Sequence, residues 1–180
     1  MPKQFDGESP SLKAWLLLHR TRDVFFRCED RIAAEFGLTQ EQYSVLLAMK
    51  CLDEPVRPTD VGRWVGHKVN TVSMIVDRMF EAGLLRRERD LPDRRSVRLV
   101  ITDKGEKAFE AATPEVSRLI EEIMSQLSYE DSLTLVRLLE TLKEKALNCL
   151  NPSGDVQKTK SYESQDMARF VERMARYFSQ

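Results

Sequence analysis

After Gly83 the apolar residues of this chain change their step. Before it, Val72, Ile75, Val76 and Met79 recur at the three-and-four spacing of one helix face. Beyond it, Val97, Leu99 and Ile101 alternate with Arg98 and Val100, the two-residue step of a strand. "LLRRERD" and "SVRLVIT" both favour strands, and the "LPD" between them has turn chemistry, so the expectation is a β-hairpin that follows a helix directly. Its tip is basic: Arg86, Arg87, Arg89, Arg94, Arg95 and Arg98 stand three on each side of "DLPD". Against Glu88, Asp90 and Asp93 they leave a local charge of +3 in a chain whose net charge is -1. Such a concentration points to a negatively charged partner.

Upstream of the hairpin, "PTDVGRWVG" predicts a short helix with Pro58 in its first turn and Gly66 at its close. The next helix, "NTVSMIVDRMFEAG", leaves Asn70, Thr71, Ser73, Met74, Asp77 and Arg78 on the side away from its buried stripe. Two short helices joined by a tight glycine-containing connection make a helix-turn-helix. Nearer the N-terminus, a helix from Ser11 to Phe36 carries Leu12, Trp15, Leu16, Phe26, Ile32, Ala33 and Phe36, and Gly37 stops it. Thr39 and Gln42 read as a capping box for a helix bearing Tyr43, Leu46, Leu47 and Cys51, which Pro55 ends. After the hairpin, Thr102 is the expected N-cap of a helix whose stripe runs from Phe109 through Val116, Leu119, Ile120 and Ile123 to Leu127. Ser128 with Asp131 restarts the chain in a helix bearing Leu135, Leu138, Leu139, Leu142, Ala146 and Leu150. Two long amphipathic helices exceed what so small a core can cover, and pairing with a second copy of the chain is the simplest burial. "NPSGDVQKTKS" then reads as a polar linker. Met167, Phe170, Val171, Met174 and Phe178 mark one more helix whose apolar face needs a partner.

Composition narrows the classes of function. With 180 residues, 42% apolar and 32% charged, the chain suits one soluble, mostly helical domain with or without an extension. Its apolar runs are too short to span a bilayer, and "MPKQFDGESPS" lacks the pattern of a signal peptide, so the cytoplasmic compartment is the default. Cys28, Cys51 and Cys149 are scattered without C-x-x-C spacing, which implies neither a disulfide framework nor structural zinc. With only His19 and His67 besides, a transition-metal site is hard to assemble. No phosphate-cradling glycine loop, nucleophile–base pairing or metal spacing occurs, so no catalytic residue, cofactor or enzymatic activity is expected. A pI near 6.2 argues against a uniformly basic nucleic-acid coat, but one basic face is enough for binding.

The stretch "GHKVNTVSMIVDRMFEAGLLRRERDLPDRRSVRLVITDKG" closely resembles the MarR family of winged helix-turn-helix transcriptional regulators. The family pattern is met by Thr71-Val72, Ile75-Val76, Asp77-Arg78-Met79, Gly83-Leu84-Leu85, Arg87, Asp90, Asp93, Arg95, Leu99, Ile101-Thr102 and Gly105. The likeness covers roughly Ser11 to Leu150. It implies a mainly α fold, with a winged helix-turn-helix domain and small β-hairpin wing embedded in a helical dimerisation domain. The implied divisions are an N-terminal dimerisation helix at 1–37, the DNA-binding domain at 38–105, C-terminal dimerisation helices at 106–150, and a linker with an additional amphipathic helix at 151–180. Three departures stand out. Arg57-Pro58 replaces the usual Thr or Ser cap, which loosens that helix start. Met74 stands where a basic or polar residue is frequent, so base preference does not transfer. The segment after Leu150 exceeds the usual length, and it could swap onto another subunit or dock another protein.

In a helix-turn-helix the start of the second helix reads base edges in the major groove. The candidates are Lys68, Asn70, Thr71 and Ser73, with Met74 against a thymine methyl and Arg78 on the same side; the plainer reading is a set of solvated polar residues. Arg94 and Arg95 sit at the hairpin turn, positioned for a narrow minor groove, and the resemblance implies that Asp93 orients one of them. Arg86, Arg87, Arg89 and Arg98 suit either phosphate contacts or salt bridges with Glu88 and Asp90. A charge run taken alone is usually a solvated face. The implied partners are double-stranded DNA with a palindromic operator, a second copy of the chain as homodimer, and a small aromatic or phenolic effector of a ligand-responsive repressor. Trp15, His19 and Arg22 are candidates to line the effector site, although Trp and His on a helix are more often core or interface residues. Oxidant sensing through Cys28, beside Arg27 and Arg31, is the redox alternative; Cys51 is expected to pack. A winged helix used for protein–protein contact is the competing class.

Overall fold

Local capping chemistry sets most of the helix boundaries. The structure, a computed structural model, describes residues 9–66, 69–89, 97–150 and 156–178. α1 (Pro10–Glu35) starts at Ser9, whose hydroxyl accepts from the Leu12 amide, and it closes through Gly37 at φ 73°. α2 (Gln40–Cys51) opens on the predicted capping box: Thr39 Oγ1 accepts from the Gln42 amide at 3.2 Å, and Gln42 Oε1 accepts from the Thr39 amide at 3.0 Å. α3 (Pro58–Val65) and α4 (Val69–Glu81) form the helix-turn-helix, and β1 (Leu85–Arg89) pairs antiparallel with β2 (Val97–Ile101). α5 (Asp103–Met124), α6 (Tyr129–Leu150) and α7 (Val156–Phe178) complete the described chain.

The core joins α2, α3, α4, the hairpin and α5. Tyr43, Val45, Leu46, Ala48 and Met49 meet Val61, Val72, Val76, Met79, Leu84, Leu85, Leu99, Phe109, Ala112 and Val116. At about 1.5–3 kcal/mol for each large apolar side chain removed from water, this cluster is the main source of stability. α2 is more deeply buried than its predicted stripe: Val45, Ala48 and Met49 are buried, while Leu47 is only partly so. The reason is position, since α2 touches α1, α3, α4, α5 and α7.

The outer helices differ. No residue of α6 is buried, and Leu133, Leu135, Leu138, Leu139 and Leu142 lie exposed along it. Leu12, Trp15 and Leu16 of α1 are exposed as well, Trp15 to 61%. Two expectations need correction. Leu127 falls past the end of α5, in the turn that Ser128 closes by accepting from the Asp131 amide at 3.1 Å. The linker is shorter than "NPSGDVQKTKS", because α7 has begun by Val156; only residues 151–155 of that stretch lie outside the described residues. The apolar face of α7 finds a partner within its own chain: Phe170 and Tyr177 pack against the core, and Met167 and Val171 stay exposed.

Candidate nucleic-acid interface

α3 presents α4 through a turn at Gly66, whose φ of 68° is a conformation that suits glycine. The start of α3 is not left loose by Arg57-Pro58. Asp60, in the first turn, accepts from the Arg57 amide at 3.1 Å and satisfies that donor from inside the helix. Val72, Val76 and Met79 anchor α4 in the core, which turns Asn70, Thr71, Met74, Asp77 and Arg78 outward and leaves Ser73 half-buried. These residues therefore share one side of α4. Lys68 lies outside the described residues.

The hairpin is bonded to α4 and to the segment before α3. Its register pairs Leu85 with Ile101, Arg87 with Leu99 and Glu88 with Arg98. Leu85, Arg87 and Leu99 share a face toward the body, where Leu85 and Leu99 are buried. On that face Arg87 pairs with Asp77 of α4, and its guanidinium lies 5.7 Å from the Phe80 ring centroid. On the other face Glu88 sits between two cations, 3.0 Å from Arg86 and paired with Arg98. Arg86 and Arg98 thus take the salt-bridge option with Glu88, and the Asp77 partner of Arg87 was not foreseen. The Leu99 amide donates to the Val56 carbonyl at 2.8 Å, which ties β2 to the approach to α3.

The root of the hairpin is fixed by two residues of the recognised pattern. Thr102 Oγ1 accepts from the Gly105 amide at 3.1 Å and donates to the Gly83 carbonyl at 2.7 Å, so one side chain caps α5 and closes the exit from α4. Gly105 lies against the root of the hairpin, between the residue that precedes β1 and the end of β2: a Cβ there would stand 2.3 Å from the Leu84 carbonyl oxygen and 2.8 Å from Ile101 Cγ2. Lys104 Nζ donates to the Ala82 carbonyl at 2.7 Å, beside the C-terminal end of α4. Asp90, Asp93, Arg94, Arg95 and the side chain of Arg89 lie outside the described residues.

The remaining candidates are dispersed. Trp15 and His19 are neighbours, with ring centroids 4.6 Å apart, and Arg22 pairs with Asp23 at 2.7 Å on the exposed surface of α1. A cleft of about 280 Å³ lies elsewhere, lined by Cys51, Asp53, Asp60, Arg63, Trp64, Arg169 and Arg173. Cys28 is half-buried, and Arg27 is engaged with the Asp23 carbonyl at 3.3 Å. Cys51 is buried as expected, and burial pushes its thiol up to about 11. No helix among the described residues is long and apolar enough to cross a membrane.

A helix-turn-helix locked to a basic two-stranded wing is an architecture that this chain shares with proteins of known structure. The profile of the MarR family matches residues 36–96. The transcriptional regulator HosA of Escherichia coli is 30% identical over 125 residues, covering 69% of this chain and 92% of HosA. Among solved structures, an organohalide-sensing transcriptional regulator in its ligand-free form superposes with a TM-score of 0.72 at 22% identity, covering 84% of this chain and 89% of that one. The Staphylococcus aureus MepR–DNA complex gives a TM-score of 0.69 at 20% identity over 77% of this chain and 99% of MepR. At these identities the two structures speak for the fold. The match to HosA across nearly its whole length, with the family profile falling on α2, the helix-turn-helix and the first strand of the wing, places the chain in the MarR family of transcriptional regulators.

Proposed function

We propose that the chain is a homodimeric repressor that binds a palindromic operator in double-stranded DNA. The observation that carries this reading is the Asp77–Arg87 pair, which joins the outward face of α4 to the arginine-bearing wing as one unit. In that unit Lys68, Asn70, Thr71, Ser73 and Met74 read base edges in the major groove, Arg78 meets phosphates, and Arg86, largely exposed beside Glu88, reaches a phosphate with the guanidinium donors that Glu88 leaves open. Arg94 and Arg95 enter the adjacent minor groove, one of them oriented by Asp93. The exposed leucines of α6 and the exposed Trp15 and Leu16 of α1 support a dimerisation body made of residues 1–37 and 106–150, flanking a DNA-binding unit at 38–105. A neighbour in fold is solved on DNA, and another is described as organohalide-sensing. By that analogy a small aromatic effector lowers operator affinity by binding best to a head spacing that does not fit two half-sites.

The test is fluorescence anisotropy on DNA from upstream of the protein's own gene, across a salt series, with wild type beside Arg94→Ala/Arg95→Ala. Binding that falls steeply with salt, and that the double substitution weakens and makes less salt-dependent, is expected. Absence of sequence preference in the wild type would count against the reading.

A further inference from the structure

α7 is the element for which the family likeness supplies no role. One face of its described part converges on one region of the molecule. Phe170 stacks on Trp64, with ring centroids 4.0 Å apart and planes 20° from parallel. One turn further on, Arg173 Nη1 donates to the Cys51 carbonyl at 2.8 Å while its Nη2 pairs with Asp53. Tyr177 meets the edge of Phe109 at 5.6 Å, and the buried Ser117 hydroxyl donates to the Phe178 carbonyl at 3.2 Å. Phe170, Arg173 and Tyr177 follow the i, i+3, i+7 spacing of one helix face.

The places contacted share a function in the architecture. Trp64 is in the last turn of α3, two residues before the Gly66 turn into α4. Cys51 and Asp53 bracket the exit from α2 into the segment that leads to α3. Phe109 and Ser117 belong to α5. α7 therefore grips both ends of the stretch that delivers the helix-turn-helix and ties them to the body. α3 rests on α2 and α4 through the buried Val61 and Gly62, while Trp64 and Val65 at its C-terminal end are only partly buried, and it is at Trp64 that α7 adds its hold. The grip also has an open edge: Asp60, Arg63, Trp64, Arg169 and Arg173 line the cleft of about 280 Å³ beside it.

We infer that α7 is a positioning strap for the DNA-reading head: Phe170 on Trp64 and Arg173 on Cys51 and Asp53 hold α3, and α4 with it, at the angle to α2 and α5 that operator binding requires. The inference rests on the DNA-binding reading above. A head already held docks without losing freedom at the binding step, whereas a released head loses it there and binds more weakly.

The test uses the full chain and compares wild type with Phe170→Ala, the conservative Phe170→Tyr, and Asp53→Asn, which opens the strap from an exposed side chain and leaves the core untouched. Operator affinity is measured across a salt series, and amide hydrogen exchange is followed over residues 58–81. Phe170→Ala is expected to weaken operator binding about tenfold and Asp53→Asn about threefold, because ordering of the head moves to the binding step. The salt slope stays as in wild type, since no phosphate contact is lost. Exchange through α3 and α4 quickens in both, and Phe170→Tyr restores affinity and protection. Unchanged or tighter operator binding in Phe170→Ala and Asp53→Asn would overturn the strap. If the wild type binds no DNA, the regulator reading fails and hydrogen exchange decides the strap alone: unchanged protection over 58–81 in both variants would overturn it.

Discussion

Asp77 on α4 and Arg87 on β1 are joined by a side-chain ion pair, and the same guanidinium lies 5.7 Å from the centroid of the Phe80 ring one turn along α4. α4 and the wing are thereby held at one angle by groups that take little part in the core. Both members are solvent-exposed, so water and salt screen the pair, and its contribution to folding is at most about 1 kcal/mol. Its effect on geometry is larger. Asp77→Asn is expected to leave the urea midpoint almost unchanged while weakening operator binding about fivefold, because the two contact elements no longer arrive together. The check is chemical denaturation alongside anisotropy on one preparation; a large loss of stability with unaltered affinity would contradict it.

Gly105 has no room for a side chain. A Cβ would stand 2.3 Å from the Leu84 carbonyl oxygen, a backbone atom held by the Thr102 amide at 3.1 Å, so relief requires moving the wing root. Gly105→Ala should destabilise the chain by about 1–3 kcal/mol, although alanine is the better helix former by about 1 kcal/mol. Urea unfolding monitored by circular dichroism measures it, and a stabilised variant would mean that α5 does not press on the Leu84 carbonyl at the hairpin root.

Legibility in the sequence followed locality. The period switch at Gly83, the Thr39–Gln42 box, the Thr102 cap and the Ser128–Asp131 restart depend on neighbours within a few residues, and each took the expected form. The outward set on α4 was equally readable, because Val72, Val76 and Met79 fix which side faces in. Contacts between distant segments were not. The stripe through Phe170 announced a face that needs covering without naming Trp64, and Arg173 lay outside any apolar pattern. Nothing in "DR" or "LLRRER" announces that Asp77 meets Arg87. The burial of Val45, Ala48 and Met49 depends on five helices converging on α2, which periodicity within α2 does not encode.

Tyr43 supplies a pH signature. Its buried hydroxyl donates to Thr113 Oγ1 at 3.3 Å, and burial pushes its pKa from 10.0 up to about 12. Below pH 10 the phenol is neutral in both folded and unfolded chains, and its contribution is complete. Above that the unfolded chain ionises first, so about 2–3 kcal/mol of stability is lost as pH rises toward 12. Cys51, raised to about 11, acts in the same direction from about pH 9. Tyr43→Phe should be nearly as stable as wild type at pH 7 and lose less stability between pH 10 and 12. Parallel alkaline curves for the two proteins would contradict the assignment.

The cysteines should separate by reactivity. Cys149 is exposed near the end of α6, whereas Cys51 is buried with its thiol held protonated. Because the thiolate is the nucleophile, iodoacetamide at pH 8 is expected to label Cys149 within minutes and to leave Cys51 unmodified until the chain is unfolded in urea. Peptide mass spectrometry of a labelling time course gives the answer, and early labelling of Cys51 would show that the α2 terminus opens in the native state.

The central claim is that two copies of this chain present two reading heads to one face of a DNA duplex, and hydroxyl-radical footprinting on the upstream DNA tests it most directly. The account predicts two related patches of backbone protection whose centres lie about one helical turn, roughly 34 Å, apart on a palindromic sequence, with minor-groove protection outside them that disappears in Arg94→Ala/Arg95→Ala. A single unpaired patch, or protection that ignores sequence, would contradict it.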